Sequence, residues 1–295
     1  MTGAERGFLL LTGYLGDPGA KPLSVPQFRE LTRRCRQMEK PKQQRDLKVE
    51  DLKKLGCDRD FGQRVIDLLN RQEQLDYYLE IAGKAGCVPV TRISECYPNR
   101  LHKVLGMDAP ACLWIKGDRD ILNMPRVSLV GSRDLLPENR VFARMVGAQA
   151  AKQGYALVSG NARGADMEAQ ESCLANGGYV ICVVADPLQS HGVRENVLYM
   201  AEDGFDISFS SYRALSRNRI IHGLCENTFV AQCALGRGGT WSGAKNNLRH
   251  GLSNLYCFAD GSEAADQLCA MGAQLVDLSD PESWFNQQPD QLKMM

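Results

Sequence analysis

The sequence lacks net charge, because 35 basic residues balance 35 acidic ones. A whole-protein polyelectrolyte attraction to nucleic acid is thereby excluded, and any such contact must come from a local basic patch. A metal-ligand pattern is also missing. The cysteines number 11, yet no Cys-x-x-Cys and no Cys/His pair at ligand spacing occurs. In a chain of 295 residues this argues against a disulfide framework and for a reducing, cytoplasmic setting. Cys173, Cys182, Cys225, Cys233 and Cys257 sit among apolar residues and read as small core hydrophobes. No long hydrophobic run is present: "GFLLLTGYLG", residues 7–16, is too short and too Gly-rich to span a membrane, and no cleavage signal follows. The GxGxxG dinucleotide fingerprint is missing. His102, His191, His222 and His250 have no acidic partner close by in sequence, which removes a Ser/His/Asp set. No metal and no cofactor are expected.

What is there divides at about residue 85. Residues 1–85 mix charged residues with apolar ones at helical spacing (Leu47, Leu52, Leu55; Val65, Ile66, Leu68, Leu69), which predicts a small all-helical domain. Within it "RELTRRCRQMEKPKQQRDLK" reads as a helix, a turn at Pro41 and a second helix start. The Arg29, Arg33, Arg34, Arg36 cluster reads as a solvated helix face rather than a phosphate patch. From residue 86 to 285 the pattern alternates. "CVPVTRI", "ACLWIKGD", "RVSLVGSR", "YALVSG", "YVICVVA", "FDISFS", "TFVAQCA", "LYCFAD" and "QLVDL" are apolar runs suited to strands buried on both faces. Helices are expected at 137–153, 164–176, 216–226 and 241–250. The alternation predicts an α/β fold with a doubly wound, mostly parallel sheet. Residues 286–295 read as a frayed tail.

"ALSRNRIIHG", residues 214–223, poses a difficulty. Ser216 reads as a helix cap, with Arg217 and Arg219 in the first turn, where the positive end of the dipole costs a cation roughly 0.3–1 kcal/mol. Other strand-to-helix junctions carry arginine too. "SLVGSR" ends at Gly131-Ser132-Arg133, "LVSGNARGAD" holds Ser159-Gly160 and Arg163-Gly164, and "CALGRGGTWSGA" holds Arg237, Gly238, Gly239 and Thr240. In a parallel sheet these junctions share the carboxyl edge, where ligands of open α/β sheets bind. Glycines let backbone N–H groups approach a phosphate, helix N-termini favour negative charge, and guanidinium adds bidentate contact. Each signal alone is weak. Their recurrence at one edge points to an extended anion, a phosphodiester strand or a nucleotide.

"RVSLVGSR", "YALVSGNARGADMEAQ", "SRNRIIHGL" and "YPNRLHKVLGMDAPACLWIKGD", in this order over roughly residues 86–260, resemble the DNA-processing protein A (DprA/Smf) family. The resemblance implies a Rossmann-like domain that binds single-stranded DNA in a basic pocket at the strand ends, behind a SAM-like helical first domain. It also implies a homodimer that hands the strand to the RecA recombinase during natural transformation. By position Gly131, Ser132, Arg133, Ser159, Gly160, Arg163, Gly164, Arg217, Asn218 and Arg219 match the family's motifs, and Gly238-Gly239-Thr240 match its "SGS" turn with one residue inserted. The sequence departs from the family at Gly164-Ala165-Asp166 with Gln170 in place of histidine, at Val230-Ala231-Gln232-Cys233, at "ADPLQSHG" and at Phe258-Ala259-Asp260-Gly261. No winged-helix segment is read after these.

Three functions compete. One is a non-catalytic single-stranded DNA-binding protein, with Tyr212 and Trp241 as candidate aromatic platforms. Another is a sensor of a nucleotide-derived ligand in the same pocket. The third is an enzyme like the cytokinin-releasing phosphoribohydrolases, whose "PGGxGTxxE" turn "RGGTWSGA" resembles. That turn's glutamate has no counterpart, since Ala244 and Lys245 fall near its place. Asp166 and Glu168 read as a helix cap and an exposed helix residue rather than a carboxylate pair.

Overall fold

The computed structural model describes residues 1–36 and 47–285. The turn expected at Pro41, the helix start after it and the tail at 286–295 lie outside the described residues. Helices α1 (Gly3–Thr12), α2 (Val25–Cys35), α3 (Val49–Lys54), α4 (Arg59–Leu69) and α5 (Gln72–Lys84) come first. Thr2 and Ser24 open α1 and α2 with reciprocal capping boxes to Glu5 and Gln27, and Asp58 caps α4. Leu31, Leu52, Val65 and Leu68 bury a small core of their own. Leu9 and Leu10 of α1 and Leu75, Tyr78 and Ala82 of α5 join the main core, where the Tyr78 ring meets Trp114 edge-on at 5.4 Å and Phe205 at 4.8 Å. Arg33 and Arg34 are both bonded to Glu30, so that helix face is already occupied.

Nine strands form one sheet: β1 (Cys87–Thr91), β2 (Cys112–Gly117), β3 (Arg126–Val130), β4 (Ala156–Ser159), β5 (Tyr179–Val183), β6 (Val197–Glu202), β7 (Asn227–Val230), β8 (Asn254–Phe258) and β9 (Gln274–Val276). Their order is β1-β2-β6-β5-β4-β3-β7-β8-β9, antiparallel at β1/β2 and β2/β6 and parallel elsewhere. The chain lays down β3 to β6 in one direction and then crosses to place β7 on the other side of β3. The topological switch therefore lies between β3 and β7. Helices α6 (Asn99–Leu105), α7 (Pro137–Lys152), α8 (Ala165–Ala175), α9 (Ser211–Ser216), α10 (Asn218–Leu224), α11 (Gly238–His250) and α12 (Glu263–Ala270) complete the chain. Cys173, Cys182, Cys225 and Cys257 are buried and Cys233 half-buried, and burial pushes the Cys182 thiol up to about 12.

Three expectations are corrected. "FDISFS" is not a strand: the carbonyls of Ile207 and Ser208 accept hydrogen bonds from Arg213 Nη1 (2.7 and 3.1 Å) instead of joining a ladder. Its place is taken by β6, "VLYMAE", buried at every position between β5 and β2. Ser216 does not cap a helix but ends α9, which Ser210 caps, and Arg217 is the hinge residue between α9 and α10. Helix α11 begins three residues earlier than expected, so Gly238, Gly239 and Thr240 are its first turn.

Candidate nucleic-acid interface

A cavity of about 610 Å³ opens at the carboxyl end of the sheet, at the switch between β3 and β7. Four segments wall it: Gly131-Ser132-Arg133 after β3, Ala162 and Asp166 after β4, the α9–α10 corner, and the start of α11. Of the residues singled out in the sequence, Gly131, Ser132, Arg133, Arg217, Asn218, Arg237, Gly238, Gly239 and Thr240 line it. Ser159, Gly160, Arg163, Gly164 and Arg219 stand outside this lining.

The loops are stitched to each other. Ser132 donates its N–H to the Gln232 carbonyl at 2.9 Å, and its own carbonyl accepts from Ala165 N at 3.1 Å. Gly164 has φ +86°, and a Cβ there would come within 2.5 Å of the Ser132 carbonyl, so glycine allows the β3 and β4 loops to touch. Asn218 Nδ2 donates to the Gly239 carbonyl at 3.2 Å, tying α10 to α11. The N–H groups of Gly238, Gly239 and Thr240 belong to the first turn of a 13-residue helix, where no intrahelical partner exists.

Arg217 closes the difficulty of the helix dipole. It caps the C-terminus of α9 while it opens α10, so the end of one helix dipole offsets the start of the next. Its guanidinium rests on Gly160, and its Nε is shielded from solvent with no hydrogen-bond partner among the described residues. Burial pulls this guanidinium below its usual range, while Asp166 and Asp186 act in the opposite sense. Arg219 points elsewhere: its Nη2 donates to Oε2 of the buried Glu202 at 2.6 Å. Arg163 pairs with Asp134 at 2.8 Å on the open surface. Ser159 accepts from Gln170 inside the core.

Sequence reasoning passed over Phe209 and assigned other roles to several residues at or near the cavity. Asp166 is no cap; its Oδ2 accepts from the N–H groups of Gly160 (3.0 Å) and Ala162 (3.2 Å) and so shapes the β4 loop. Burial raises its carboxyl above the ordinary range, against the pull of Arg217. Glu168 is not exposed but takes Arg144 at 2.6 Å and Arg140 at 3.4 Å. Phe209 is 56% exposed and lines the cavity, and Tyr212 beside it is 79% exposed. Trp241, by contrast, is buried in the core. His191 has an acidic neighbour after all, Asp186 Oδ2 at 3.1 Å, on a loop outside the lining. Phe209 carries no motif of its own, and the role of Asp166 within Gly164-Ala165-Asp166 depends on the β4 loop it folds against, so only the fold could have found them.

No cluster of histidine, cysteine or carboxylate side chains among the described residues could hold a metal ion, and no helix among them is long and apolar enough to cross a membrane. DNA processing protein DprA of Streptococcus pneumoniae R6 is 30% identical over 197 residues, covering 62% of this chain and 69% of that protein. Protein Smf of Escherichia coli K12 is 30% identical over 207 residues, covering 64% of this chain and 53% of Smf. The X-ray structure of the S. pneumoniae protein shares the fold at a TM-score of 0.68 and 24% identity, over 94% of this chain and 95% of its own. DNA processing protein A from Helicobacter pylori, described for its single-stranded DNA binding mode, gives 0.57 at 22% identity, over 68% and 94%. The profile of DNA recombination-mediator protein A runs from residue 89, inside β1, past β9 to residue 286, and the chain belongs to that family, the DprA/Smf proteins.

Proposed function

We propose that this chain is a non-catalytic protein that binds single-stranded DNA at the switch-point cavity, with Gly131, Ser132, Arg133, Arg217, Asn218, Arg237, Gly238, Gly239 and Thr240 contacting the backbone. One observation carries the reading. Guanidinium groups from three loops far apart in sequence, Arg133, Arg217 and Arg237, meet on one cavity in which Asp166 is the carboxylate among the lining residues. Phosphate neutralised there releases counterions, which gives salt-dependent affinity. Gly160 and Gly164 support the site from behind, and Arg163 at its margin is free to swing from Asp134 to a passing phosphate. Handover to RecA, self-association as a dimer and a cytoplasmic setting belong to the same reading on the strength of family membership. So does a division between a helical domain at 1–85 and a sheet domain at 86–285.

Fluorescence anisotropy with oligothymidylate tests it. Arg217→Ala and Arg133→Ala are each expected to weaken binding about tenfold and to reduce the salt slope by about one, with thermal melting preserved. Unchanged affinity in both variants sinks the proposal. The cavity volume also suits a small ligand, since sites of about 300–1,000 Å³ hold such molecules. Competition separates the two: a long oligonucleotide outbinds a mononucleotide only if the strand is the ligand.

A further inference from the structure

Beneath the cavity lies a polar network with one open end. Thr228 on β7 shares hydrogen bonds with Ser128 on β3 and with Ser253, both at 2.6 Å. Asn247 on α11 accepts the Ser253 N–H on Oδ1 at 2.8 Å, which fixes the orientation of its amide. Its Nδ2 then donates to Ser253 Oγ at 2.8 Å and to Nδ1 of His222 at 3.1 Å. Nδ1 is therefore an acceptor, and the ring hydrogen resides on Nε2.

His222 is 1% exposed, and burial together with Arg217 pushes its pKa down to about 4, so the ring is neutral near pH 7. Both hydrogen bonds of the ring use Nδ1; Nε2 makes none among the described residues. The residue lines the cavity, and Nε2 lies under α11 close enough to Gly243 that a Cβ there would sit 3.3 Å away. A histidine held only for packing gains nothing from a network of four polar side chains, Thr228, Ser128, Ser253 and Asn247, of which Asn247 dictates its tautomer. The tautomer leaves Nε2–H as a donor without a partner among the described residues, beside Gly243 and on a residue that lines the same cavity as Arg217 and Asn218.

We propose that Nε2–H of His222 donates to a phosphodiester oxygen of the bound strand, an uncharged contact at the floor of the site. The inference rests on the single-stranded DNA reading above. An anionic oxygen is favoured because an acceptor that reaches Nε2 enters the cavity that Arg133, Arg217 and Arg237 also line.

The test uses the full chain, oligothymidylate anisotropy and two substitutions. His222→Asn keeps a polar amide where Nδ1 stands and loses the donor; His222→Gln reaches the Nε2 position and restores one. H222N is expected to lose affinity about tenfold, with the salt slope unchanged because a neutral donor displaces no counterion. H222Q is expected to recover most of the loss. Arg217→Ala is the control that lowers the slope. If H222N binds as the unaltered protein does while R217A weakens binding, this inference falls and the site stands. If R217A and R133A also have no effect, the reading beneath it falls as well. Should H222N fail to fold, the Nε2–H resonance of the unaltered protein decides, since it is expected to shift on addition of oligothymidylate, and a stationary signal overturns the proposal.

Discussion

The guanidinium of Arg217 lies so close to the backbone of Gly160 that a methyl group added to Gly160 would overlap its Nη1, at 1.6 Å. Gly160 thus serves the site as the surface that seats an arginine, from outside the cavity lining. Gly160→Ala is expected to displace Arg217 and to lower oligothymidylate affinity about as far as R217A does, roughly tenfold, with about 1–3 kcal/mol lost to overpacking. Anisotropy and urea unfolding check both parts, and affinity intact in G160A would show that Arg217 binds nothing.

Asp166 puts a buried negative charge into an anion site. Asparagine can keep both loop bonds, because the N–H groups of Gly160 and Ala162 share one carboxylate oxygen. Asp166→Asn is expected to raise affinity several-fold, about 1 kcal/mol. The stability sign follows from burial, which raises the folded-state pKa above the ordinary value of 3.8. Its stabilising contribution is full below that ordinary value and is lost as pH rises through the raised one. Relative to D166N, the unaltered protein should therefore lose stability on passing from acid toward neutral pH. Melting curves across pH 4–7.5 measure this, and parallel profiles would contradict it.

Arg219 and Glu202 hold the α9–α10 corner to the end of β6. Their side chains are 24% and 6% exposed, so Arg219→Gln leaves a carboxylate stranded and is expected to cost about 3 kcal/mol at neutral pH. Burial already raises the Glu202 pKa, and loss of the arginine raises it further. The deficit should shrink as pH falls toward the ordinary glutamate value of 4.5, and the double variant with Glu202→Gln should regain much of it. Urea unfolding at two pH values decides; a pH-independent deficit would contradict the pairing.

Phe209 and Tyr212 offer the aromatic surface beside the arginines. Phe209→Ala is expected to weaken oligothymidylate binding by about 1–3 kcal/mol without changing the salt slope, as loss of base stacking does. Titrations at three salt concentrations separate this from an electrostatic effect. A reduced slope in F209A would instead mean that a cation had moved.

Sequence alone carried the sheet a long way. "RVSLVGSR", "YALVSG" and "YVICVVA" are apolar β-branched runs whose burial on both faces follows from local composition, and Pro137 marks the start of α7 within a residue. It failed where long-range contacts override local preference. "VLYMAE" holds good helix formers yet becomes β6, because a central strand position between β5 and β2 buries all six side chains. "FDISFS" holds strand formers yet leaves the sheet, because Arg213 claims its carbonyls.

The site divides in the same way. Arginine and glycine at strand-to-helix junctions are legible as residue types, since a parallel sheet must bring such junctions to one edge. Which arginine faces the cavity is not, because a side chain's direction depends on partners remote in sequence: Glu202 draws Arg219 away, Asp134 takes Arg163, and Arg217 remains on Gly160. The sequence determined the alternation of elements and the stock of cations at one rim. Tertiary structure decided which charges are already neutralised by neighbours, and it alone placed Asp166, Phe209 and His222 around the same cavity, since packing brings together what periodicity cannot.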